Sequence, residues 1–312
     1  MGKLVFGVDV GGTTVKLGCF DTEGNLLDKW EIPTRTEDKG SNIIGDIAGS
    51  ILVKLAKDDI DKKDVEGIGI GVPGPVKGDG TVIVAVNLGW KDTNVNNELE
   101  ELTGIKVKAS NDANVAALGE MWRGGGQGYS NVVAVTLGTG VGGGIIVDGR
   151  IVNGATGAGG EIGHIHLEDN ESEACGCGGH GCLEQYASAT GVVRLAKKKL
   201  ADSSKDSVLR EGEVTAKDVW DAVKAGDELA IEVAHIYGEY LGKGLAAVAD
   251  VVNPEVFVIG GGVSKAGRVL IEYMEPYYDK YVFPGGKGAK FALAKLGNDA
   301  GIYGAARLVL DK

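Results

Sequence analysis

The sequence predicts an α/β protein made of two duplicated α/β domains with a cleft between them, and three observations carry the prediction. At 312 residues the chain exceeds the size that one hydrophobic core usually serves. Its first elements read β-β-β-α-β, which mixes antiparallel hairpins with a crossover and differs from a plain alternating nucleotide-binding unit. One glycine hairpin also occurs twice. Val5-Phe6-Gly7-Val8-Asp9-Val10-Gly11-Gly12-Thr13 lies over Val132-Val133-Ala134-Val135-Thr136-Leu137-Gly138-Thr139-Gly140, and Phe20-Asp21 falls on Val147-Asp148 at the same offset.

Leu4–Val10 is almost continuously apolar, as a buried strand is. Gly11-Gly12-Thr13-Thr14 turns the chain, Val15–Phe20 runs back, and Asp21-Thr22-Glu23-Gly24-Asn25 turns it again into Leu26–Ile32. Ser41 reads as the N-cap of a helix reaching about Asp58, with Ile43, Ile44, Ile47, Ile51 and Leu55 on one stripe. Val65–Val72 returns as a strand. In the repeat, Asn131–Leu137 is a strand, Gly138–Gly144 its turn and Ile145–Val147 the return. Helices follow over about Ser188–Leu200, Thr215–Ala225 and Glu228–Val251, the last stopped by Asn253-Pro254. Val256–Ile259 is a buried strand ending in Gly260-Gly261-Gly262, and Asn298–Leu310 a closing helix. The expected division puts residues 1–109 in a small N-terminal domain joined by the C-terminal helix at 298–312, and residues 110–297 in a large domain.

Composition narrows the function classes. With 43% hydrophobic and 24% charged residues the chain is an ordinary globular protein. Glycine is the outlier at 53 residues, concentrated in turns after apolar strands where backbone approaches a ligand or takes positive φ. A net charge of −12 argues against a nucleic-acid partner and against docking on anionic membranes. No apolar run reaches the ~18 residues that span a bilayer. The first strand is too short for a signal-peptide core, and Phe6 stands where a myristoylation signal wants Ser or Thr. Free thiols in a metal-type spacing fit a reducing cytoplasm.

Three of the four cysteines, Cys175, Cys177 and Cys182, fall within eight residues. Cys175 and Cys177 are too close to bridge comfortably, and a disulfide leaves an odd thiol over. Three thiolates and an imidazole form the tetrahedral set that Zn²⁺ favours. His164, His166 and His180 all lie within reach as the fourth ligand. Glu161 and Glu184 flank the cluster where a substrate is gripped.

Asp9-Val10-Gly11-Gly12-Thr13-Thr14-Val15-Lys16 puts a carboxylate at a strand end and a glycine turn behind it. Backbone N–H groups in such a turn cradle phosphate, and Asp9 suits a hydrated Mg²⁺. It is no P-loop, because Lys16 lacks the preceding glycine and a strand follows. Gly69-Ile70-Gly71-Val72-Pro73-Gly74 and Gly138-Thr139-Gly140-Val141-Gly142-Gly143 match a dinucleotide fingerprint in letters, yet neither opens a helix. The second remains a phosphate clamp because it repeats the first hairpin. Asn111-Asp112 ends a strand and opens an Ala-rich helix. An N-cap explains one polar residue there. An Asp at such a mouth suits the base that takes a proton from a substrate hydroxyl.

Together Asp9-Val10-Gly11-Gly12-Thr13, Gly71-Val72-Pro73-Gly74-Pro75, Asn111-Asp112, Leu137-Gly138-Thr139-Gly140, Gly160-Glu161-Ile162-Gly163-His164 and Cys175–Glu184 resemble the ROK (repressor–ORF–kinase) family over residues 3 to about 305. Asn87-Leu88-Gly89-Trp90 and Glu184–Gly191 resemble its bacterial glucokinase branch. The resemblance implies the actin/hexokinase-like ATPase fold and ATP-dependent phosphorylation of glucose to glucose 6-phosphate. It implies Asp112 as general base, and Asn111, Glu161, His164 and Glu184 as hydroxyl ligands, with Gly74 and Asn87 as further sugar contacts. It implies a structural Zn²⁺ on His164, Cys175, Cys177 and Cys182, leaving His166 and His180 as bystanders. Mg²⁺ and the ATP phosphates would meet Asp9, Gly11, Gly12, Thr13, Thr14, Lys16, Gly138, Thr139 and Gly140, and Gly260-Gly261-Gly262 would line the adenosine pocket.

The family usually forms dimers or tetramers, so a homodimer or homotetramer is expected. Fructose, mannose, allose and N-acetylated amino sugars are the alternative substrates within it. Its sugar-responsive regulators carry a helix-turn-helix of roughly 60–80 residues ahead of the sugar domain. Here Asp9 comes almost at once, which speaks against that class. Polyphosphate as phosphoryl donor would want a basic groove, which the composition does not advertise.

Overall fold

The structure, a computed structural model, describes residues 2–310. Met1, Asp311 and Lys312, the ends of the expected N-terminal domain, lie outside the described residues. The chain forms two compact units. One holds the residues up to Ser130, Gly144–Gly160 and those from Lys295 on; the other holds Asn131–Gly143 and Glu161–Ala294.

The first unit opens with the meander β1 (Leu4–Val10), β2 (Thr14–Asp21) and β3 (Leu26–Pro33). A single turn, α1 (Glu37–Gly40), leads to α2 (Ile43–Lys57) and back into β4 (Val65–Val72). The hairpin β5 (Thr81–Ala85) and β6 (Trp90–Asn94), helix α3 (Val95–Thr103), strand β7 (Val107–Asn111) and helix α4 (Asp112–Arg123) follow. The sheet order is β3-β2-β1-β4-β7, antiparallel through the meander and parallel from β1 to β7. The cap of helix α2 falls one residue beyond the expected Ser41. Asn42 is its N-cap, with no side-chain hydrogen bond, and the predicted stripe of Ile43, Ile44, Ile47, Ile51 and Leu55 is buried throughout.

Beyond α4 come β8 (Val132–Leu137), β9 (Val141–Val147) and β10 (Arg150–Ile151). The helices α5 (Glu184–Ala187), α6 (Ala189–Asp202), α7 (Ala216–Lys224) and α8 (Glu228–Val252) precede β11 (Val256–Gly260). Helix α9 (Arg268–Tyr281), β12 (Lys290–Leu293) and α10 (Ala300–Leu310) complete the chain. The second sheet is ordered β10-β9-β8-β11-β12, the plan of the first sheet repeated strand for strand. Strand β9 starts at Val141, inside the expected glycine turn. Gly144 lies in it because a Cβ there would meet the Ala113 carbonyl at 2.9 Å and the Ala117 Cβ at 2.5 Å.

The expected boundary near residues 109 and 110 falls inside the first unit, where α4 and α10 pack together. Glycine makes that packing tight. Gly7 and Gly69 on the sheet sit under the Ile302 and Ala305 carbonyls, and Gly119 of α4 sits under that of Ala300. Side chains at those positions would push the helix off its seat.

Candidate active site

The first unit gathers one set of expected residues along a single edge. Asp9 of β1 is level with Gly71 of β4, and Gly71 and Val72 are level with Ser110 and Asn111 of β7. This is the carboxyl edge of three parallel strands, where ligands bind in open α/β sheets. Asn111 caps α4: its Oδ1 accepts from Ala113 N at 2.9 Å and Asn114 N at 3.3 Å. Its Nδ2 donates to the Gly74 carbonyl at 3.0 Å, which leaves one amide hydrogen for a ligand. Gly74 takes φ +88 against the Val84 carbonyl, so the position requires glycine. Asp112 is the first residue of α4 and exposed, with Oδ1 accepting from Ala113 N at 2.8 Å.

Asp9 is half-buried and its carboxyl is pushed up to about 6. Burial is the main cause, the charge of Asp112 adds to it and Lys16 opposes it. A bound cation would relieve that penalty, so the position suits Mg²⁺. The turn behind it is bare. Gly11, Gly12 and Thr13 are exposed, and Gly11 N closes on the Thr14 carbonyl at 3.1 Å. Lys16 is already engaged, donating to the Asn298 carbonyl at 3.0 Å. Asn87 lies in the β5–β6 turn, its Nδ2 3.9 Å from where a Cβ on Gly12 would stand.

The second unit brings the other glycine segments together. Strands β8 and β11 run parallel with Thr136 level with Gly260, so Gly138–Gly140 and Gly260–Gly262 leave neighbouring strand ends. Gly261, at φ +82, has no room for a side chain against the Leu137 backbone. The turn at Gly138–Gly140 is anchored from the start of α6. Ala189 N donates to the Gly138 carbonyl at 2.8 Å and Thr190 Oγ1 to that of Thr139 at 3.0 Å. A hollow of about 360 Å³ runs between Thr139-Gly140 and Cys175-Glu184. A larger one of about 790 Å³, along Glu171, Tyr186 and Arg194, holds none of the expected site residues.

The donor atoms of His164, Cys175, Cys177 and Cys182 all lie within 4.8 Å of one another. Cys177 Sγ stands 3.7 Å from Cys182 Sγ, and Cys175 Sγ 3.9 Å from His164 Nδ1. Ligands 2.0–2.3 Å from a tetrahedral zinc stand roughly 3.3–3.8 Å apart, so the cluster already has about the right size. His164 turns its other nitrogen, Nε2, to within 4.0 Å of Glu161. The rival histidines face elsewhere: His166 contacts the His180 carbonyl and Asp169, each at 2.8 Å, and His180 contacts the Glu171 carbonyl at 3.1 Å.

Two carboxylates that sequence patterning does not single out hold these parts in place. Arg194 binds Glu171 at 2.7 Å, Tyr186 donates to the same carboxylate at 2.6 Å, and the Arg194 hydrogen bond leads in holding Glu171 down at about 2. That clamp ties the cysteine loop to α6. Glu120 is buried at 4% exposure and accepts from Gly125 N at 2.7 Å and Leu296 N at 2.8 Å, fixing the approach to α10. Neither is visible in the sequence, because each looks like an ordinary acidic residue.

Two sheets of one plan, each carrying a glycine hairpin at its central strand, define the actin/hexokinase-like ATPase fold. The family model described as the ROK family matches residues 5–312. The chain belongs to the ROK family. It is 45% identical to a glucokinase of Halalkalibacterium halodurans over 97% of this chain and 94% of that protein. The ROK hexokinase of Thermus thermophilus superposes with a TM-score of 0.80 at 33% identity, covering 97% of this chain and 96% of that one. A ROK family glucokinase from Streptomyces griseus, in complex with glucose and AMPPNP, gives 0.71 at 34% identity over 98% of each.

Proposed function

We propose that this chain transfers the γ-phosphoryl group of ATP to the 6-hydroxyl of glucose. Asp112 carries the proposal: an exposed carboxylate on the first residue of α4, beside the cap residue Asn111, at the carboxyl edge of the sheet. In that role Asp112 accepts the hydroxyl proton as O6 attacks the γ-phosphorus and the bond to the bridging β–γ oxygen breaks, releasing ADP. Asn111, Glu161, His164 and Glu184 bind the remaining hydroxyls, with Gly74 and Asn87 as further contacts. A neutral sugar offers only hydroxyls, so selectivity comes from paired hydrogen bonds that a wrong epimer leaves unmet.

Asp9 would hold the Mg²⁺ of MgATP, and a divalent cation there supplies neutralising charge to the phosphoryl oxygens. The turns at Gly11–Thr14 and Gly138–Gly140 offer backbone N–H groups to phosphate, with Lys16 beside the first and Gly260–Gly262 toward the adenosine. His164, Cys175, Cys177 and Cys182 would bind a structural Zn²⁺ through His164 Nδ1, leaving Nε2 for a sugar hydroxyl. Among the described residues no helix is long and apolar enough to cross a membrane. A homodimer or homotetramer belongs to the same proposal, as does a cytoplasmic setting, which the free cysteines support.

A coupled assay of ADP release with MgATP across a hexose panel tests it. Glucose-dependent release with glucose 6-phosphate as product is expected. Folded, zinc-loaded protein that releases no sugar-dependent ADP would end the proposal.

A further inference from the structure

Strand β1 sorts its side chains by parity. Leu4, Phe6, Val8 and Val10 enter the core with the α2 stripe, while Val5 packs with Ile302 and Ala306 of α10. Gly7 lies under the Ile302 carbonyl. Asp9 is the next residue on that face, so the pleat aims its carboxylate at the first turn of α10. Gly301 stands there. A Cβ on Gly301 would lie 2.5 Å from Asp9 Cγ, 2.6 Å from Oδ2 and 3.0 Å from Cβ, and these are its three nearest atoms.

Nothing else at this position asks for glycine. Gly301 has no positive φ, and glycine is among the poorest residues inside a helix. The helix is also pinned where it begins. Lys16, the cross-strand partner of Asp9, holds the Asn298 carbonyl, and buried Glu120 holds Leu296 N. A side chain on Gly301 is therefore met by movement of Asp9 and not of the helix.

We propose that Gly301 is a positioning residue for Asp9: the missing side chain is the seat on which the carboxylate rests, so the C-terminal helix sets how a magnesium nucleotide is held. The last clause rests on the kinase proposal above; the seat itself does not.

A double-mutant cycle on the full chain separates the two. Gly301→Ala, Asp9→Ala and the pair are compared by thermal unfolding without nucleotide, reading whether the two effects add. Gly301→Ala is expected to lower Tm by several degrees in the parent and to cost nothing in the Asp9→Ala background. If Gly301→Ala fails to fold, recovery of folding in the double variant has the same meaning. Equal losses in both backgrounds, no loss in the parent, or failure to fold in both overturns the seat.

In folded Gly301→Ala, the KM for MgATP is expected to rise at least ~10-fold, the scale of a displaced ligand group, while glucose binding without nucleotide is unchanged. An unchanged KM for MgATP overturns the positioning role. A parent protein stabilised by neither MgATP nor glucose instead overturns the kinase proposal, and the unfolding cycle still decides the seat.

Discussion

Glu184 accepts from the Cys175 thiol at 2.9 Å with Oε1 and from Val141 N at 3.3 Å with Oε2. One proposed sugar ligand is thus held between the cysteine cluster and the glycine hairpin, while a second, His164, belongs to the cluster itself. Gly140 is part of the same arrangement, because any Cβ there would run into the Glu184 carboxylate.

Loss of the metal should therefore appear first as loss of sugar binding. Elemental analysis should find about one Zn per chain, as a site with four protein ligands requires. Cys177→Ser, at the exposed cysteine, should lose the metal and weaken glucose binding, measured calorimetrically without nucleotide, by at least ~10-fold, the usual scale for disturbing ligand support. Chelated, metal-free protein that binds and phosphorylates glucose normally would remove zinc from the account.

The general base has a cleaner test. Asp112→Asn keeps a residue able to stand at the first turn of α4, and Asn111 still caps the helix. Turnover should fall by ~10²–10⁴-fold, the range for removing a positioned base, with glucose affinity little changed. Near-normal kcat in the folded variant would take the proton acceptor away from Asp112.

Asp9 links the site to stability. Its carboxyl rises from 3.8 to about 6 on folding, through burial first and the nearby Asp112 charge after it. Because the folded value lies above the unfolded one, its contribution is fully present below about 3.8 and is lost as pH rises through about 6. Metal-free Asp9→Asn, which cannot ionise, should exceed the parent in stability by on the order of 2 kcal/mol at pH 8 and match it near pH 4. Urea unfolding at both pH values measures this. The same variant should use MgATP poorly. A parent whose stability advantage over Asp9→Asn grows with pH would show that the carboxylate is not strained.

What the sequence made legible were the parts governed by local periodicity. The apolar run of β1, the isoleucine stripe of α2 and the doubled hairpin all describe neighbours within one element, and each has its counterpart in the fold. Strands β6 and β12 had no such signal, since Trp90–Asn94 and Lys290–Leu293 mix polar and apolar residues at short lengths, whereas the β-branched run Thr81–Ala85 of β5 did carry one and went unread. Gly142–Gly144 read as a turn because glycine ordinarily breaks strands, whereas β9 runs through them and Gly144 leaves room for α4. The three thiols of the cluster were legible because Cys175, Cys177 and Cys182 are close in sequence, whereas spacing left the histidine open among His164, His166 and His180, and the fold brings His164 to them. Asp9 and Gly301, or Glu120 and Leu296, are far apart in the chain, and only the packing of α10 joins them.

Substrate choice turns on the groups around the cluster. Glu161 and Glu184 are carboxylate acceptors, and His164 sits between them, with Nε2 at 4.0 Å from Glu161 and Nδ1 at 3.8 Å from Glu184. Carboxylates accept strongly from hydroxyl donors. An acetamido group in place of a hydroxyl keeps one N–H donor but adds a carbonyl that faces other acceptors, and it needs room. Val141 N donates to Glu184 and Gly140 lies close against the same carboxylate, so Glu184 cannot easily swing aside for extra bulk. The kcat/KM for glucose should accordingly exceed that for N-acetylglucosamine or N-acetylmannosamine by at least ~10²-fold, the scale of a few kcal/mol in lost hydrogen bonds and steric conflict. Fructose should also trail glucose. A hexose panel in which an N-acetylated amino sugar or fructose outruns glucose would refute the glucose assignment, and Glu161→Gln would then be the first variant to examine, because it replaces one acceptor with a donor that an acetamido carbonyl can use.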